Sequence, residues 1–219
     1  MRDAATILLV ESKAIRPILM SLEPDSFDVE TVCTGWSVRD VLGHCGAALS
    51  MAVSKSLHGF SPAENEVDVV ERRGWPIDRV LDELFDGYAG AAIEIDEAAG
   101  SLDGLGLGEW LHGGDVRDAV GAPDPYTSEG ADLALDLMLA RSTGTYRPQG
   151  ATSIAAVAGR PALDIVVDGT RRRFGESGDV VGTLTTDLET FIRLTAGRRP
   201  DPTRFELVGA EPTDLVLFN

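Results

Sequence analysis

The chain has 219 residues, 43 % of them hydrophobic and 25 % charged, with a net charge of −17. So acidic a balance argues against a phosphate-binding surface, and with it against nucleic acid as a partner. No apolar run approaches the roughly 18 residues that span a bilayer, the N-terminus lacks the apolar core of a signal peptide, and two cysteines are too few for a disulfide framework, so a cytoplasmic protein with no membrane partner is expected.

The length allows one large domain or two small ones. Charge divides the chain unevenly. Residues 145–219 carry nine arginines against ten acidic residues, a net of −1, and residues 1–144 hold the remaining −16.

Apolar residues Ile7, Leu8, Val10, Ala14, Ile18, Leu19 and Leu22 recur near a 3.6-residue period and predict a helix over 3–22, bent or shortened at Pro17. Ser37, with Asp40 three residues on, caps a second helix running to about Leu57. A polar loop is expected from Ser61 to Arg73. Pro76 then opens a third helix through Val80, Leu81, Leu84, Tyr88 and Ile95. Gly100 to Gly106 reads as a glycine-rich break before a fourth helix that stops near Gly121-Ala122-Pro123. Thr127 opens a fifth helical segment through Leu133 to Leu139.

The character changes at Tyr146-Arg147-Pro148-Gln149-Gly150. Leu163 to Val167 is a β-branched run, Asp168-Gly169 a hairpin turn, and Thr170 to Phe174 the returning strand. Val180 to Thr185 predicts another strand. Thr186-Asp187-Leu188-Glu189 is a capping box opening a helix that stops at Gly197. Phe205 to Val208 and Leu215 to Phe218 read as closing strands. The expected fold is α+β: a helical bundle over 1–145 followed by a small α+β domain over 146–219.

The chemistry-bearing residues are few. Of three histidines, His44 lies at the margin of the second helix's apolar face. In Gly108-Glu109-Trp110-Leu111-His112-Gly113-Gly114-Asp115, residues Glu109 and His112 lie about 60° apart on one helix face, with Val116, Ala119 and Val120 on the same side. Two inward histidines and an acid from facing helices form a candidate divalent-metal site. The competing reading makes each histidine an ordinary hydrogen-bonded residue, Asp115 a simple acceptor or cap, Trp36 and Trp110 core aromatics, and His58 a solvent-facing helix end. Dinucleotide, Walker A and nucleophile-elbow motifs are absent.

Three stretches carry a family likeness. Thr34-Gly35-Trp36-Ser37-Val38-Arg39-Asp40-Val41-Leu42-Gly43-His44 resembles the second-helix signature of the mycothiol-dependent maleylpyruvate isomerase group, within the DinB-like superfamily of metal-binding four-helix bundles. Glu109 to Gly121 resembles the group's second histidine motif, and Asp187 to Arg198 its C-terminal helix.

The resemblance implies a divalent metal, usually zinc, held by His44, His112 and a carboxylate. The metal would bind the thiolate of mycothiol, which serves isomerisation or S-transfer on an electrophilic small molecule. The family's glutamate stands four residues before the second histidine, where this chain has Gly108; Glu109 stands three before it. Arg198 matches a family position suited to a substrate carboxylate, and also suits a helix C-terminus. Arg171, Arg172 and Arg173 read as solvated strand-edge charges. The rival functions are a ligand-binding or regulatory protein on the same scaffold and a metal-dependent hydrolase.

Overall fold

The computed structural model describes residues 1–143 and 159–218. The change of character at Tyr146 to Gly150 lies outside them. The chain forms two compact units, the first spanning Met1–Gly130 and the second beginning at Ala131.

The first unit is helical. Helix α1 (Asp3–Leu19) accommodates Pro17 in its last turn. Helix α2 (Val38–Ser54) starts at Ser37, whose hydroxyl accepts from Asp40 N while the Asp40 carboxylate accepts from Ser37 N. Helix α3 (Pro62–Arg72) occupies the stretch expected to be a polar loop. A Ser61–Glu64 capping box and Pro62 at the first turn drive it, although only Val69 among its apolar residues is buried. Helix α4 (Ile77–Glu97) and helix α5 (Asp103–Ala119) complete the set.

Four of these helices, α1, α2, α4 and α5, pack as a bundle in which α2 lies along α4 and α1 along both α4 and α5. The glycine-rich break extends only as far as Leu102; Gly104, Gly106 and Gly108 lie inside α5. Glycine there lowers helix propensity by about 1 kcal/mol per residue relative to Ala, but Gly106 brings α5 against α1: a Cβ at that position would overlap the carbonyl of Ala4. Helix α5 is buried on nearly every side, so Trp110 and Leu111 are as enclosed as Glu109. Gly121, with φ +68°, ends the segment as expected.

The second unit begins with helix α6 (Ala131–Ser142), and Thr127 to Gly130 precede it as turns. α6 packs on elements of this unit, whereas the sequence boundary at 145/146 had grouped it with the bundle. Strands β1 (Leu163–Val167) and β2 (Thr170–Phe174) form the expected hairpin, Val167 opposite Thr170, with Asp168 and Gly169 at φ +46° and +76° as a type I′ turn requires. Strand β3 (Gly182–Thr186) pairs parallel to β1, and strand β4 (Phe205–Val208) pairs antiparallel to β3, giving the order β2-β1-β3-β4. Arg171, Arg172 and Arg173 lie on the edge strand β2, as expected.

Helix α7 (Leu188–Thr195) is capped by Asp187, which accepts from Thr190 N at 2.9 Å; the cap is this single residue rather than the Thr186 box. Its Phe191 meets Phe174 edge-to-face, centroids 6.3 Å apart. Leu215 to Phe218 is not a strand. A Pro212–Leu215 3-10 turn precedes it, and Leu217 N reaches the Thr195 carbonyl on α7 instead of a sheet edge. The architecture is α+β, seven α-helices and a four-stranded sheet among the described residues.

Candidate metal centre

His44 on α2 and His112 on α5 face each other inside the first unit, ring centroids 5.2 Å apart and nearly perpendicular. His44 is only 6 % exposed, and its Nδ1 has no hydrogen-bond partner. Burial, then the neighbouring His112 charge, depresses its pKa to about 3, so the ring is neutral. Trp36 is half-buried rather than a core residue. Its ring lies 5.1 Å from His44, and its indole N–H donates to Glu66 at 2.9 Å.

Glu109 is buried, as a side chain on the inner face of α5 should be. Its Oε2 is without a partner. Burial raises its pKa to about 7 against the pull of His112 and Cys45. Burial, reinforced by Glu109, also pushes the Cys45 thiol well up.

The tightest gathering of donors includes His112 but differs from the sequence-derived trio. Among the described residues, one group of three metal-type side chains has its donor atoms all within 4.8 Å of one another: Cys33, His112 and Asp115. His112 Nδ1 and Asp115 Oδ2 are 3.1 Å apart, the Cys33 thiol donates to the same Asp115 oxygen at 3.2 Å, and Cys33 Sγ lies 3.8 Å from His112 Nδ1. Tyr126 donates to the other carboxylate oxygen, Oδ1, at 2.5 Å. Burial presses the His112 imidazole down, but its bonds to Asp115 and Cys33 outweigh that and lift it to about 10.

Local structure places each of these groups. Cys33 sits in a tight turn held by Trp36 N bonding to its carbonyl and by its own N–H donating to Thr31 Oγ1. Asp115 follows His112 by three residues, so the two share a helix face; that spacing was legible in the sequence. Cys33 and Tyr126 come from segments outside the helices, and no sequence motif linked them to His112.

His58 belongs elsewhere. It is half-buried, not solvent-facing, with Nε2 2.7 Å from Asp68. Arg198 lies in the second unit, just past α7, where its guanidinium donates to the Ala196 carbonyl at 2.7 Å.

Comparison with known proteins agrees with this fold. Residues 8–120 match the family model of the mycothiol maleylpyruvate isomerase N-terminal domain. The crystal structure of the mycothiol-dependent maleylpyruvate isomerase superimposes with a TM-score of 0.62 at 14 % identity, covering 97 % of this chain and 95 % of that one. A histidine-to-alanine mutant of that isomerase matches with a TM-score of 0.61 at the same identity and coverage. No curated protein sequence matches significantly.

Proposed function

The chain belongs to the mycothiol maleylpyruvate isomerase N-terminal domain family, and from that membership we propose that it is a metal-dependent enzyme using a low-molecular-weight thiol such as mycothiol either to isomerise an electrophilic small molecule or to be joined to one through its sulfur. The supporting observation is the pairing of buried His44 with half-buried His112, beside which His44 Nδ1 and Glu109 Oε2 stand unpartnered. A buried acceptor without a partner costs about 1–3 kcal/mol. Two such atoms beside a second histidine suit a site built for a cation.

On this reading His44, Glu109 and His112 hold a divalent metal, zinc by its nitrogen and carboxylate donors. Bound there, the metal would favour thiolate over thiol at neutral pH, supplying a nucleophile without a strong base. The chain's own residues prepare the site. Burial keeps His44 neutral and therefore a competent donor, the His112 ring is oriented by Asp115, and Trp36 packs against His44. Arg198 is proposed as the partner of a substrate carboxylate, which a guanidinium binds through two parallel hydrogen bonds. The expected setting is the cytoplasm, where low-molecular-weight thiols stay reduced.

The position of Glu109 outside the close donors around His112 favours a second reading, a ligand-binding protein on the same scaffold without catalysis. Elemental mass spectrometry of the untagged protein, with thiol-dependent turnover of an activated electrophile, separates the two. Near-stoichiometric metal and turnover, both lost in His44→Ala with the fold intact, support the enzyme. Wild-type protein that binds no zinc and turns over nothing supports the binding protein.

A further inference from the structure

The carboxylate is the least prepared member of that trio: among the described residues, Glu109 is not one of the donors gathered closely around His112. On the Asp115 side of His112 the donors are gathered much more closely. A tetrahedral zinc with bonds of about 2.3 Å to sulfur and about 2.0–2.1 Å to nitrogen and oxygen sets its ligand atoms about 3.3–3.6 Å apart. The three separations here are 3.8, 3.2 and 3.1 Å, each within about 0.4 Å of that spacing. Three side chains therefore already outline one face of a tetrahedron.

We propose that Cys33, His112 and Asp115 are the protein ligands of the metal in this chain, through Sγ, Nδ1 and Oδ2, with a fourth position open to an exchangeable thiol or water. The proposal rests on the reading that a divalent metal resides at His112; it sets Cys33 and Asp115 in place of His44 and Glu109 as direct ligands, and makes Asp115 a ligand rather than only the group that orients the His112 ring. Two features beyond proximity carry it. Tyr126 holds Asp115 Oδ1, which leaves Oδ2 as a one-point ligand and supplies the outer hydrogen bond that zinc-binding carboxylates generally have. His44, buried and with Nδ1 unpartnered, stands ring to ring with His112, beside the cluster. Three protein ligands with one open position is the pattern of catalytic zinc, whereas structural sites are closed by four. Metal entry displaces the thiol proton of Cys33 and the proton between His112 and Asp115, both released to solvent.

The test uses the full chain, stripped with a chelator and reloaded with cobalt(II) or zinc. Cobalt bound to a thiolate has a near-ultraviolet charge-transfer band, and with only Cys33 and Cys45 in the chain the band can be assigned by two variants. The expected result is a band in wild type and Cys45→Ser that is absent in Cys33→Ser. Zinc affinity, read by chelator competition, should fall roughly 100-fold or more in Cys33→Ser and Asp115→Asn and change less than about threefold in Glu109→Gln. Circular dichroism establishes that each variant is folded.

A wild type that binds cobalt without the band, or loses affinity in Glu109→Gln instead, overturns the Cys33 assignment and leaves the metal-enzyme reading standing. A wild type that binds neither metal overturns both.

Discussion

Glu11 of α1 and Arg117 of α5 meet in the interior of the bundle, with Arg117 Nη2 donating to both carboxylate oxygens at 2.7 and 2.8 Å while the two side chains are 0 % and 2 % exposed. Gly113 makes the meeting possible, since a Cβ on it would fall inside the Glu11 carboxylate. The pair ties α1 to the helix that carries His112.

Breaking this pair from one side should be costly. Glu11→Ala leaves an uncompensated buried guanidinium and is expected to destabilise the fold by about 3–5 kcal/mol, whereas replacing both partners with methionine should recover much of that loss. Urea midpoints of the two single variants and the double variant check it; additive losses would show that the two residues do not act as a pair.

Two glycines on the same helix should respond in opposite directions. Gly113→Ala drives a methyl into Glu11 and should cost about 1–3 kcal/mol. Gly108 has nothing within 4 Å of where its Cβ would stand, so Gly108→Ala should stabilise by about 0.5–1 kcal/mol through helix propensity. Thermal unfolding of both variants decides the matter.

In the metal-free protein, Glu109 should make the fold less stable as pH rises. Its folded pKa of about 7 lies above its ordinary value of 4.5, so between those two pH values the unfolded chain gives up the proton first and gains the advantage. His44, depressed to about 3, works in the opposite sense up to its ordinary value, and the informative quantity is therefore the difference between variants. Glu109→Gln should gain on wild type from pH 4.5 to 7 by on the order of 1–3 kcal/mol. Denaturant unfolding across that range reads the difference, and parallel curves would refute it.

Metal should stabilise the folded state. Zinc at 100 times its dissociation constant raises the unfolding free energy by about 2.7 kcal/mol, and a chelator reverses the gain. Tyr126→Phe removes the bond that orients Asp115 and should weaken zinc binding about 10-fold or more. Unchanged affinity in that variant would leave Tyr126 with a packing role only.

Where the sequence misled, the cause was local signals outweighed by packing. Counting glycines over 100–106 suggested a break, yet Gly106 is what α5 needs to approach Ala4. The polar stretch after Ser61 concealed helix α3, because a capping box can start a helix that buries little. Leu215 to Phe218 has strand-like composition but is turned toward α7.

Local chemistry by itself determined the cap at Ser37, the Asp168-Gly169 hairpin, the stop at Gly121, and the helical neighbourhoods of His44 and His112, since each depends on residues within one turn of chain. The family likeness was legible for the same reason, being carried by contiguous stretches around those histidines. The grouping of Cys33, His112, Asp115 and Tyr126 was not. These residues span 94 positions from first to last, two of them lie outside any helix, and only the packing of the bundle brings a loop thiol and a tyrosine hydroxyl to the two oxygens of one buried carboxylate.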